Sequence, residues 1–242
     1  IFGFHAVTAR IRHEASTVDE IYIDANRHDR RMGELIRAAK AANVRIIQAD
    51  DQRLDAMVGS RRHQGVIAKA GEISLARNLD ELLDAIEGPP LLLLLDGVTD
   101  PRNLGAIIRS ACAFGANAIV IPERRAAGMT AVAWKSSAGA AARLPIAQVK
   151  NLARSIEDAK EFGCFIVGLD GESTDTVDGL KIATDSLYVI VGSEGKGLSR
   201  LVREKCDVVV SIPMRQSVES LNASVAMAIA LYTIEEKRRK TN

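Results

Sequence analysis

Histidine disappears from this 242-residue chain after position 63: the four imidazoles are His5, His13, His28 and His63. Any reaction run by the rest of the chain must manage without the usual general base. Aromatic residues make up only 4% of the sequence, which argues against a base-stacking sheet of the RRM kind. The single tryptophan, Trp134, reads as a core or interface residue. Three cysteines (Cys112, Cys164 and Cys206) are odd in number, widely spaced and set in apolar segments. They read as reduced core thiols of a cytoplasmic protein, with no disulfide framework and no metal site. The longest apolar run, Leu91 to Leu95, is too short to cross a bilayer, and no signal-peptide pattern opens at Ile1. Repeats and low-complexity segments are missing too. The net charge of +1 gives no whole-molecule basic field, although a local patch would suffice for nucleic acid.

What is present is globular, with 47% hydrophobic and 26% charged residues. The pattern divides into a small α/β unit over 1–72, a linker over 73–88 and a larger unit over 89–242. In the first, Phe4 to Ile11, Arg30 to Ala42 and Asp50 to Val58 carry helical patterns, the last capped by Asp50 or Asp51. Strand patterns lie at Glu20–Asp24, Val44–Ile47 and Gly65–Ala68. Arg61-Arg62-His63 forms a cationic loop, either a solvated surface turn or a grip for phosphates. A helix over Asn78–Ile86 is expected before Gly88-Pro89-Pro90 punctuates the chain.

The second unit alternates apolar strands with helices, which predicts a parallel sheet of five or six strands. Leu91–Asp96 is a continuous apolar run of a strand buried on both faces. Ala118–Pro122, Cys164–Leu169, Val189–Gly192 and Val208–Val210 follow it, with an extended stretch over Leu144–Val149. Helices are expected at Leu104–Phe114, Thr130–Ala138 and Leu152–Phe162, and an alanine-rich helix ends the chain. Loops after the strand ends of such a sheet share one edge, where ligands bind.

Two of those loops organise the reading. Gly192-Ser193-Glu194-Gly195-Lys196-Gly197 matches neither a dinucleotide fingerprint nor a P-loop. Its glycines demand a sharp turn or a close approach to a ligand, and Glu194 suits hydroxyl or amine groups better than phosphate. In the second loop, Ser220 either caps the final helix or faces a ligand. With no histidine in reach it lacks the base a nucleophile needs. Asn103 is as much a helix cap as a ligand contact. Arg109, set among apolar residues, either snorkels to solvent or points at an anion.

Taken together these stretches resemble a known family. Asp100-Pro101-Arg102-Asn103-Leu104-Gly105-Ala106-Ile107-Ile108-Arg109 is similar to the first motif of the SpoU, or TrmH-like, 2′-O-ribose RNA methyltransferases of the SPOUT superfamily. Val191 to Leu198 resembles the second motif. Ile212-Pro213-Met214, with Ser217 and Ser220-Leu221-Asn222-Ala223-Ser224, resembles the third. The N-terminal unit, with Gly3-Phe4-His5-Ala6-Val7 and His63-Gln64-Gly65, is similar to the family's L30e-like substrate-binding domain. The resemblance implies a SPOUT catalytic domain with a deep C-terminal trefoil knot, a device nearly absent from other proteins. It implies S-adenosylmethionine as methyl donor, held by Gly192, Gly195, Ile212, Met214 and Leu221. It further implies a catalytic group of Asn103, Arg109, Glu194, Ser220 and Asn222, and a homodimer whose sites borrow from both subunits. RNA contacts would come from Arg61, Arg62 and His63.

The implied reaction is 2′-O-methylation of a guanosine ribose in 23S ribosomal RNA, with no metal and no membrane. A guanidinium effectively never deprotonates, so Arg109 is better cast as a cation that stabilises the developing alkoxide or binds the neighbouring phosphate than as a base. A tRNA ribose methyltransferase and a non-catalytic RNA-binding member of the fold are the alternative readings.

Overall fold

The computed structural model of the protein describes residues 1–59, 61–71, 79–83, 86–215 and 220–241. Its N-terminal sheet has three strands: β1 (Val18–Asp24) lies between β2 (Arg45–Ala49), which is parallel to it, and β3 (Val66–Ala70), which is antiparallel. Helices α1 (Phe4–Glu14), α2 (Arg30–Ala41) and α3 (Asp51–Val58) accompany it. Asp29 caps α2, and Asp50 caps α3 by accepting the Arg53 N–H, so of the two aspartates expected there the first does the work. Val7 and Ile11 of α1 and Met32 and Leu35 of α2 pack onto Ile21 and Ile23 of β1.

The second unit opens with a short helix, α4 (Asp80–Leu83). It covers part of the helix expected over Asn78–Ile86; residues 78, 84 and 85 lie outside the described set. Six parallel strands follow: β4 (Leu91–Asp96), β5 (Ala118–Pro122), β6 (Ile146–Val149), β7 (Phe165–Leu169), β8 (Leu187–Gly192) and β9 (Val208–Val210). Their order across the sheet is β6-β5-β4-β8-β7-β9. The chain builds outward from β4 on one side, then crosses and builds on the other. The crevice of such a switch point lies at the C-terminal strand ends.

Because β4 and β8 are central, both faces are covered and successive residues serve opposite layers. Leu91, Leu93, Leu95, Val189 and Val191 face α5 (Pro101–Ala113), α6 (Ala131–Ser136) and α9 (Ala223–Thr241). Leu92, Leu94, Tyr188 and Ile190 face α7 (Leu152–Glu161) and α8 (Arg200–Lys205). The helix expected over Thr130–Ala138 is shorter than predicted. Thr130 is its N-cap, and Gly139, at φ +89°, turns the chain into a 3-10 turn.

That turn joins the two units. A Cβ on Gly139 would lie 2.7 Å from the Ala9 Cβ and 2.9 Å from the His5 carbonyl oxygen, so only glycine lets α1 come this close. Arg10 stacks its guanidinium 5.0 Å from the ring centre of Trp134, which is therefore an interface residue.

Candidate active site

At the end of β8 the chain folds back on itself. Ser193 and Gly197 exchange two backbone hydrogen bonds of 3.0 Å, with Gly195 and Gly197 at φ +78° and +62°. A Cβ on Gly192 would collide with the Gly197 carbonyl, so the close approach inferred from the glycines is an approach of the loop to itself. The Ser199 N–H, donating to Asp96 Oδ2 at 2.7 Å, ties this loop to the end of β4.

The second loop leaves β9 through Ser211 and Ile212 and re-enters described backbone at Ser220; Ser217 lies outside the described residues. Between the two loops is a cavity of about 540 Å³. Gly192, Glu194, Gly195, Ile212, Met214, Ser220 and Leu221 all line it. Reasoning from sequence missed a third wall, the loop after β7 formed by Asp170, Gly171 and Glu172. The available signal was that β7 belongs to the same parallel sheet and also runs into a Gly- and carboxylate-bearing turn. Arg203 of α8, which likewise lines the cavity, pairs with Asp170 at its rim.

Asn103, Glu194 and Asn222 come together from three segments. Asn103 Nδ2 donates to Glu194 Oε1, and Asn222 Nδ2 donates to the same oxygen at 3.1 Å and to Asn103 Oδ1 at 3.1 Å. Neither asparagine plays the part its position first suggests. Asp100, not Asn103, caps α5, and Asn103 sits buried on the first turn, facing the glycine loop. Asn222, not Ser220, caps α9: its Oδ1 accepts from the Ser224 N–H at 2.9 Å and the Ser224 hydroxyl at 2.6 Å. Ser220 is exposed at the cavity wall.

Arg109 stands apart. It is exposed on α5 and does not line the cavity. In the first unit, Arg61 is 92% exposed and 3.6 Å from Asp55, and only the backbone of Arg62 is described. His63 is buried: Nδ1 accepts from the Gly65 N–H at 3.0 Å, which leaves Nε2 to donate to Asp55 at 3.0 Å. With both nitrogens engaged, this imidazole orders the loop from within instead of facing a ligand.

A glycine-rich bend, a second bend and an asparagine–glutamate cluster, buried at Asn103 and exposed at Glu194 and Asn222, meet at the switch point of a parallel sheet, the arrangement of a candidate small-molecule site beside an open surface. The chain belongs to the SpoU rRNA methylase family, whose model matches residues 90–232; residues 1–75 match the RNA 2′-O ribose methyltransferase substrate-binding family. Among its relatives is the 23S rRNA (guanosine-2′-O-)-methyltransferase RlmB of Ralstonia nicotianae, 50% identical over 98% of this chain and 95% of that protein. RlmB of Bordetella pertussis is 48% identical over 98% and 96%. A similar solved structure is the SpoU methyltransferase AviRb from Streptomyces viridochromogenes in complex with AdoMet. It has 27% identity and a TM-score of 0.83, covering 99% of this chain and 90% of that one. The Aquifex aeolicus TrmH/SpoU tRNA-modifying enzyme, at 26% identity and a TM-score of 0.57, covers 67% of this chain.

Proposed function

We propose that this protein transfers a methyl group from S-adenosylmethionine to the 2′-hydroxyl of a guanosine in 23S ribosomal RNA. The observation that carries the reading is the asparagine–glutamate cluster at the mouth of a cofactor-sized cavity, in a chain 50% identical to the Ralstonia RlmB over 98% of its length. The match to a tRNA-modifying enzyme leaves a third of the chain uncovered, which favours ribosomal RNA.

The cavity suits the methyl donor. Its volume falls in the range of small-molecule sites, about 300–1,000 Å³. Leu198, Val210, Ile212 and Ala226 supply apolar walls for a purine, and Asp170 and Glu172 supply acceptors for ribose hydroxyls or an ammonium. The bound donor would supply an electrophilic methyl group on a sulfonium. The remaining tasks fall to the protein's own groups. Gly192, Gly195, Ile212, Met214 and Leu221 hold the donor; Asn103, Ser220 and Asn222 orient the ribose. Glu194 is fixed by two amide donors. Arg109 stabilises charge developing on the 2′-oxygen or holds the adjacent phosphate, since a guanidinium keeps its proton.

Arg109 lies outside its own chain's cavity, which fits a dimer in which it serves the partner's site. The face where it stands supports that. Val225, Ile229 and Tyr232 of α9 are between 36% and 49% exposed beside an apolar groove floored by Ala106 and Phe114 of the α5 segment. We assign the unit over 1–72 to gripping RNA, with Arg61 and Arg62 as surface contacts. The C-terminal segment is assigned to a trefoil knot, supported by family membership and by α9 returning from the edge strand β9 to pack on α5. We assign its action on ribosomal RNA to the cytoplasm; no helix among the described residues is long and apolar enough to span a membrane.

The test is incubation with methyl-labelled S-adenosylmethionine and either 23S rRNA transcripts or bulk tRNA. Label in the 23S transcript, lost in Asn222→Ala, is expected. Label in tRNA alone would replace the substrate, and label in neither, with no uptake of the donor, would remove the reading.

A further inference from the structure

A second cleft, of about 310 Å³, lies where the two units meet. Helix α1 turns His5, Thr8 and Arg12 into it at the helical spacing of three and four, with His13 beside them. Arg31 of α2 enters from one side and Arg143, just beyond the 3-10 turn, from the other. Both histidines and all three arginines are exposed.

The charges in this cleft are uncompensated. Among the described residues no carboxylate pairs with Arg12, Arg31 or Arg143. The one acidic residue lining the cleft, Glu34, is already engaged by Arg30 at 2.9 Å. Arg31 also occupies the first turn of α2, where the helix dipole disfavours a cation. Three arginines lining one cleft with no carboxylate paired to them, one of them at a cost to its helix, suit an anion.

We propose that this cleft seats the phosphodiester backbone of the RNA substrate, bridging the N-terminal and catalytic units. This deepens the functional reading above and rests on it. The forked donors of Arg12, Arg31 and Arg143 each match a phosphate, and His5, Thr8 and His13 add N–H and O–H donors along the strand. Spent on phosphates, these groups set register and not sequence. The glycine at 139 lets the two units touch at the floor of the cleft.

The experiment measures binding of the whole protein to a 23S rRNA fragment across a series of KCl concentrations, beside calorimetry with S-adenosylmethionine. For Arg12→Ala/Arg31→Ala/Arg143→Ala, log K against log salt should flatten by about 2, at roughly 0.7 per single-strand phosphate, with affinity down by about tenfold or more. Donor binding should stay at the wild-type value. The corresponding triple lysine variant should recover the slope, and Arg154→Ala, an exposed arginine on α7 paired with Asp158, should not change it. An alanine variant with wild-type slope and affinity, or a lysine variant as defective as the alanine one, overturns the cleft alone. A wild-type protein that takes up the donor yet binds no RNA overturns the cleft together with the functional reading.

Discussion

Cys164 and Cys206 show what burial does to a single group. Desolvation, with Asp207 adding to it at Cys206, pushes both thiols from an ordinary 9.0 up to about 11. The folded protein therefore keeps protons that the unfolded chain gives up. The stability from this source is intact below pH 9 and is lost as pH climbs toward 11. Urea midpoints on either side of that window should fall more steeply for the wild type than for Cys164→Ala/Cys206→Ala. Equal slopes would mean the thiols are wetter than their packing suggests. At this scale the sequence was half legible. Residue types that carry chemistry declared themselves as candidates, Asn103 and Glu194 standing in loops at one edge of a parallel sheet. What each does could not be read, since a cap, a buried tie and a ligand contact use the same side chains. His63 is the clear case: its cationic neighbours suggest a phosphate grip, and its burial against Asp55 makes it a strut.

Elements were easier to read where burial is one-sided or total. The run Leu91–Asp96 is β4 to the residue, because a strand covered on both faces needs no polar alternation. Ends were harder. Strand β1 begins at Val18, before the alternating stretch, because Ala70 of β3 offers it a partner. Helix α6 stops early because Gly139 must meet α1. Close approach of a different kind governs α5 and α6: a Cβ on Gly105 would strike Ser136 and the Ala133 carbonyl. Gly105→Ala should therefore lower stability by about 1–3 kcal/mol in urea unfolding, as overpacking does. It should also weaken donor binding by displacing the first turn of α5 and with it Asn103. A variant as stable as the wild type would show that α6 yields freely.

For the whole molecule, sequence pattern yielded a parallel sheet and its approximate strand number, yet not the order of strands. Order depends on which crossover passes which face, and no local pattern encodes that. The proposed assembly likewise rests on exposure, which no local pattern encodes: the fold leaves Ile229 and Tyr232 uncovered. If Arg109 serves the partner's cavity, then mixing and refolding Arg109→Ala with Asn222→Ala should restore about a quarter of wild-type methyl transfer. Half of the dimers are then mixed, and each carries one intact site of two. Mixtures as inactive as their components would place Arg109 in its own chain's site. Ile229→Glu/Tyr232→Glu should elute as a monomer in light-scattering chromatography and bind the donor less tightly.

Asn222 ties architecture to chemistry in one amide, its oxygen starting the last helix and its nitrogen steadying Glu194. Aspartate serves as well as asparagine in the first task. In the second it would set two anions against each other across the span of a hydrogen bond. The helix would tolerate the exchange while the cluster came apart, so at this position a sound fold carries no promise of a working enzyme.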